Sequence, residues 1–231
     1  MFFKKKEKMN TDPIGGFSFF ISFPCLFLIS MVNIFYLKEL IDSNGLKNLV
    51  YFLIAGTIGA WFSFLFIRAH ISVFIHEFKH SLISNLVGNK DKGWKVKKET
   101  GHFQYSYTEK TAKFNALISL APYFIPLFSF PVLIVSLFIF SQTQSFPVPL
   151  LGLAAGADFY LNIKDIGRHQ SDFTNLIGGF TLGIIFVILI NTAWYTYLLS
   201  FVLADIFGFK YLFFGLYETG VNLYFLIKEI N

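Results

Sequence analysis

The sequence predicts an all-α polytopic membrane protein of about five to six transmembrane helices, with a small β-hairpin following a histidine-bearing helix. Composition carries the class: 55% of the 231 residues are hydrophobic, 20% aromatic and only 14% charged, against about 25% charged in soluble domains. Mean hydropathy is +0.58, and several apolar runs approach the ~20 residues that a helix needs to cross the hydrocarbon layer. One polar stretch instead alternates with period two, the strand signature. Together these features exclude an ordinary soluble domain, a disordered chain and a collagen-like repeat. The formal charge of +5 resides in loops between apolar runs, where it faces anionic lipid and the cytoplasm, so no nucleic-acid partner is expected. Cys25 is the single cysteine, which rules out an internal disulfide or a thiolate cluster and leaves histidines and carboxylates to hold any metal.

Along the chain, Lys4, Lys5, Lys6 and Lys8 precede the apolar run Phe17 to Tyr36. The run is too long for a signal-peptide core and no small-x-small cleavage site follows, so it reads as the first transmembrane helix. A polar connection is expected from Leu37 to Asn48. The proline-free stretch Leu49 to Gly88 would make one helix about 60 Å long, twice the hydrocarbon thickness, so it must break, tilt or fold back. The joint is expected at Ile67-Arg68-Ala69-His70, where charge enters. Lysines then crowd Asn89 to Lys113, and alternation in Trp94–Lys97 and His102–Tyr107 around Glu99-Thr100-Gly101 predicts the hairpin.

Phe114 to Phe140 carries Pro122, Pro126 and Pro131, which predict kinks whose freed carbonyls neighbouring helices must satisfy. An uncharged loop, Ser141 to Pro147, leads to a helix over Val148 to Ile163, a polar connection over Lys164 to Asn175 and a further spanning run, Leu176 to Leu203. The segment from Asp205 to Asn231 reads either as a last crossing or as an interfacial helix. If Leu49 to Gly88 makes one net crossing, lysine placement puts the N-terminus and the lysine-rich hairpin in the cytoplasm, in an integral protein of the cell (inner) membrane.

The chemistry concentrates in His76-Glu77-Phe78-Lys79-His80. On a helix the two histidines face the same way one turn apart, so both imidazoles can reach a single zinc ion. Glu77 lies ~100° around from His76 and ~60° from His80, within reach of a water on the metal but not of the metal itself. That arrangement suits metal-assisted hydrolysis, with the glutamate accepting and returning a proton. Ionisable groups inside an apolar helix need a partner, and a dication supplies one. The competing reading places Ile71 to Gly88 in the interface with these polar residues facing water.

The motif in a membrane helix, the short β-rich segment after it, the run Phe114-Asn115-Ala116-Leu117-Ile118-Ser119-Leu120-Ala121-Pro122 and a later aspartate resemble the site-2 protease-like family of intramembrane zinc metalloproteases. The resemblance covers about Ile71 to Phe180. It implies a single membrane-embedded domain, with an N-terminal helix and loop over 1–48, a catalytic core over 49–180 and C-terminal helices over 181–231. It implies His76 and His80 as Zn2+ ligands, Glu77 as general base, a downstream aspartate as third ligand, and a membrane protein or peptide as substrate within the lipid bilayer. The family's usual Asn-Pro-x-Asp-Gly or Leu-Asp-Gly signature is absent from the chain, which leaves the third ligand among Asp172, Asp158 and Asp165.

Asp172 is ranked first because it precedes the helix containing Gly178-Gly179, where a carboxylate can cap and still face the site; the plain alternative is a cap only. Asp158, in an apolar helix, comes second, and Asp165, beside Lys164, a distant third. For substrate, strand addition to Phe103-Gln104-Tyr105-Ser106 would present an extended peptide, and Asn115 offers an amide to a carbonyl near the metal. His70 and Arg68 read as membrane-boundary residues, His102 and His169 as solvated, and Lys79 as lying at the site rim or snorkelling. The alternatives to a protease are a catalytically inactive relative and a zinc-binding or zinc-transport membrane protein, neither of which needs Glu77. A different membrane zinc-enzyme class would draw its third ligand from a later glutamate, for which Glu218 is the candidate.

Overall fold

The computed structural model describes residues 17–98, 100–139 and 147–230. The N-terminal lysines, Glu99 of the hairpin turn and the uncharged loop over 141–146 lie outside the described residues. The fold is mostly helical with one two-stranded antiparallel sheet. Its elements are α1 (Phe17–Asn44), α2 (Lys47–Phe66), α3 (Ala69–Leu86), β1 (Lys90–Val96), β2 (Gly101–Ser106), α4 (Glu109–Ala112), α5 (Asn115–Leu120), a 3-10 turn (Ala121–Tyr123), α6 (Ser129–Ile139), α7 (Pro147–Lys164), α8 (Ser171–Thr174) and α9 (Gly179–Ile230). Among the described residues, three helical stretches are long and apolar enough to cross a membrane: Ser22–Asn44, Lys47–Phe66 and Gly179–Leu226.

The first helix runs through most of the polar connection expected from Leu37. Tertiary contacts override the local polarity there: Leu40 is buried and Glu39 accepts a hydrogen bond from Tyr211. The last-turn carbonyls are met by side chains, Ser43 Oγ donating to Glu39 O and Asn44 Nδ2 to Leu40 O. Gly45, at φ +75°, then ends the helix in the left-handed conformation that glycine adopts freely. The expected joint is present between α2 and α3, where Ile67 and Arg68 are extended.

Glycines set the approach of α2 to α7. A Cβ on Gly156 would fall on the Gly56 carbonyl and one on Gly59 on the Leu153 carbonyl, so backbone meets backbone, as small residues permit in membrane helices. The partners advance together from Phe52 against Gly152 to Phe64 against Tyr160, so the two helices run in the same direction.

The long α9 is two helices. Ala204 and Asp205 leave helical geometry, Asp205 at φ 57°, and rings of Tyr197 and Phe201 then pack on Phe209, so the chain doubles back on itself. The first helix, α1, lies along both arms, with Asn33 Nδ2 donating to Thr196 Oγ1 at 3.1 Å and Tyr36 OH to Glu218 at 3.1 Å. Phe173, Tyr123, Phe124 and Phe186 form an apolar cluster with Ala116 and Leu120. A second cluster joins Phe52, Leu151 and Ala155 to Leu198 and Phe201.

The substitution Gly156→Ala is expected to destabilise the fold by about 1–3 kcal/mol through overpacking against Gly56. Gly220→Ala, where nothing lies within 4 Å of the added carbon, is the control. Thermal melts in detergent check the pair, and equal melting temperatures would place the two helices apart.

Candidate metal centre

The third helix exposes Ile71 and Phe74 and buries Ser72, Ile75, Glu77, Lys79, His80, Ser81, Ile83 and Ser84. The buried arc is wide enough to present His76, Glu77 and His80 on one side and Lys79 on another. His80 Nδ1 lies 2.7 Å from the Ile118 carbonyl. A carbonyl only accepts, so Nδ1 carries a proton and Nε2 is the ring atom that faces the site. His76 Nε2 is 3.1 Å and His80 Nε2 3.6 Å from Asp172 Oδ2, and one ligand atom from each of the three residues lies within 4.8 Å of the others.

Asp172 is aimed by its neighbour. Phe173 is fully buried between Tyr123 and Phe180, with ring centroids 4.7 and 5.2 Å away, and this plug turns the preceding carboxylate toward α3. Asp172 is not the cap expected of it: it sits inside α8, and α9 begins only at Gly179. Instead its Oδ2 accepts from Tyr123 OH at 2.9 Å as well as facing the imidazoles. Burial works to raise the Asp172 carboxyl, but the bonds and charges of His76 and His80 outweigh it and hold the group well below the usual carboxylate range.

Asp158 lies elsewhere. It is fully buried, and its carboxylate accepts from the Phe128 and Ser129 backbone N–H groups and from Ser129 Oγ at 2.6–3.1 Å. Its partner is therefore the N-terminus of α6, whose orphan donors it satisfies. Asp165 approaches His76 Nδ1 at 3.9 Å, on the side of the ring away from Asp172.

A cavity of about 390 Å3 opens over the three ligand atoms. Glu77 lines it, with Val73 and Ile118 as apolar wall and Ser119, Gln170 and Ser171 as polar wall. The far side is β2, which contributes Gly101, His102, Phe103 and Tyr105. Gly101 touches Glu77: any Cβ there would overlap the carboxylate. The hairpin is tied to α3 by Asp91, which accepts from Ser81 Oγ and Asn85 Nδ2, both at 3.0 Å, and by Trp94 stacked on Phe74 with centroids 5.2 Å apart.

Of the residues expected to meet substrate, Phe103 and Tyr105 line the cavity. Gln104 is exposed and its amide meets His102. Asn115 is buried and accepts from Tyr105 OH at 3.2 Å, so it braces the hairpin. Burial pushes the Tyr105 hydroxyl up to about 12, which keeps it a donor. His70 and His169 are not among the cavity residues.

Sequence reasoning missed Tyr123, His102 and Lys79. His102 is exposed, as a solvated histidine is, and also lines the cavity. Lys79 was expected at the site rim or snorkelling, yet it is only 1% exposed. For Tyr123 the signal was present in the Pro122–Pro126 spacing: an i+4 proline has no N–H for the Pro122 carbonyl, so the turn had to be bound from outside.

The donor set is one that could hold a divalent metal such as zinc: two imidazoles whose Nε2 atoms face one ionised carboxylate, with outer groups seated on His80 and Asp172. Asp172→Asn is therefore expected to lower zinc affinity with folding preserved, whereas Asp158→Asn should keep zinc and lower the melting temperature. Metal analysis with thermal melting on the same preparations separates the two; zinc lost in Asp158→Asn alone would move the ligand to α7. Comparison of the chain with protein families, with curated proteins and with solved structures finds no match.

Proposed function

We propose that the chain is a membrane-embedded zinc metalloprotease resembling the site-2 protease-like family, which hydrolyses peptide bonds in or near transmembrane segments. The observation that carries this reading is the convergence of His76, His80 and Asp172 beside Glu77. His76 Nε2, His80 Nε2 and an Asp172 oxygen would hold the ion. Zinc, when bound, lowers the pKa of water toward ~7 and polarises a carbonyl. Glu77 accepts the proton of the attacking water and delivers it to the departing amine nitrogen, so the proton inventory closes on one carboxylate. The ends of the scissile segment must be extended, since a helix ties its peptide bonds into its own hydrogen bonds. Strand β2 pairs with β1 on one side, and its other edge, between Phe103 and Tyr105, borders the cavity and is suited to strand addition.

Of the five to six crossings expected, six follow if α1, α2, the α5–α6 segment, α7 and the two arms of α9 each span the membrane, with the N-terminus and hairpin in the cytoplasm. An inactive relative or a zinc-transport protein would use the same histidines but gives Glu77 no work, and it is the presence of that carboxylate in the cavity that favours hydrolysis.

Purified wild type is expected to carry about one zinc per chain, lost in both His76→Ala and His80→Ala; a metal-free wild type sinks the reading. Glu77→Gln should keep zinc while lowering cleavage of a membrane-anchored peptide by roughly 10²–10⁴-fold, because it removes the proton acceptor and spares the ligands. Unchanged turnover in that variant would rule out the mechanism.

A further inference from the structure

The fully buried Lys79 stands in the middle of the motif without an ion pair: among the described residues no carboxylate lies within 4 Å of its ammonium. Its Nζ donates to Asn162 Oδ1 at 2.6 Å and to the Pro122 carbonyl at 3.2 Å. An ammonium can only donate, and this one-way character orders everything beyond it. Asn162 must turn its oxygen to the lysine and its nitrogen outward, where Nδ2 donates to Asn191 Oδ1 at 3.1 Å. Asn191 in turn must offer Nδ2, which reaches the Tyr123 carbonyl at 2.9 Å and the Val187 carbonyl at 2.8 Å. Both arms of the lysine therefore end on consecutive carbonyls of one turn, Pro122 directly and Tyr123 through two amides. Those are carbonyls that the turn itself leaves open: position 126 is a proline with no N–H, and the Leu127 N–H goes to Ile125.

The residue fixed by this double hold is Tyr123, whose hydroxyl donates to Asp172 Oδ2 at 2.9 Å and whose ring meets the His76 ring edge to face at 5.6 Å. We propose that Tyr123 is a positioning residue that orients the Asp172 carboxylate for metal, and that Lys79 holds Tyr123 in place through the Pro122–Tyr123 turn. The proposal rests on the metal reading above and assigns it an outer shell: His80 is set by the Ile118 carbonyl, Asp172 by Tyr123, and the buried lysine between the two histidines anchors the second of these from behind.

The test uses the full chain in detergent, titrated with zinc and, separately, with cobalt(II), whose visible bands report the ligand field. Tyr123→Phe removes one oxygen and keeps the packed ring. It is expected to weaken zinc binding by roughly 10- to 100-fold and to shift the cobalt bands, with the metal-free melting temperature close to wild type. Unchanged affinity and unchanged bands in that variant overturn the role of Tyr123. Lys79→Met is expected to weaken zinc in the same direction, and the Tyr123→Phe, Lys79→Met double variant to bind no more weakly than the weaker single variant, because the lysine acts through the tyrosine. Additive losses overturn the lysine's part. If Lys79→Met does not fold, Asn191→Ala, which cuts the longer arm, takes its place in the same cycle. A wild type that binds neither ion overturns the metal reading and this inference together, and that failure is recognisable because it occurs before any substitution is made.

Discussion

Polar groups carried into an apolar chain must find partners inside the protein, since hydrocarbon supplies neither donors nor acceptors and each unmet group costs several kcal/mol. The structure is organised around meeting that demand at the kinked segment between α5 and α6. Pro126 leaves the Pro122 carbonyl without a helical donor and the Leu127 N–H turns to Ile125 instead of Tyr123, and α3 and α9 supply Lys79 and Asn191 to meet the two open carbonyls. The Asp158 carboxylate on α7 meets the opposite deficit, the bare N–H groups at the start of α6. A single broken helix is thus bound by three others, and the order of the bundle follows from where its backbone is incomplete.

The candidate centre inherits its geometry from the same packing. Its three ligand atoms come from two segments almost a hundred residues apart, and neither segment alone fixes their spacing. Helical periodicity places the two imidazoles together. The carboxylate arrives because Phe173, next in sequence, is swallowed by the aromatic cluster of Tyr123 and Phe180. Apolar burial, which is non-directional, acquires direction here because it acts on one residue of a dipeptide and leaves the other facing the opposite way.

Much of this was legible in the residues. The break at Ile67–Arg68 could be read because charge interrupts an apolar run, the hairpin because its side chains alternate, and His76, Glu77 and His80 because their spacing matches one helical turn. The end of α1 could not be read locally, since Leu40 and Glu39 are kept helical by partners on α9. The same limit applied to Asp158 and Asp172: both look like carboxylates in search of a partner, and only the three-dimensional path of the chain shows that one faces a helix end and the other a pair of imidazoles. The reversal at Ala204–Asp205 was equally hidden, because it rests on a left-handed aspartate where glycine would have been the signal.

The contact between Gly101 and Glu77 has a mechanical consequence. The residue that opens β2 and the carboxylate on α3 occupy adjoining volumes, so the position of the strand and the rotamer of the glutamate are not independent variables. Pressing the hairpin toward α3 closes the space in which the carboxylate turns, and lifting it restores that freedom. Asp91 and Trp94 pin β1 to the same helix, so the hairpin that confines the carboxylate is itself seated on the element that carries it.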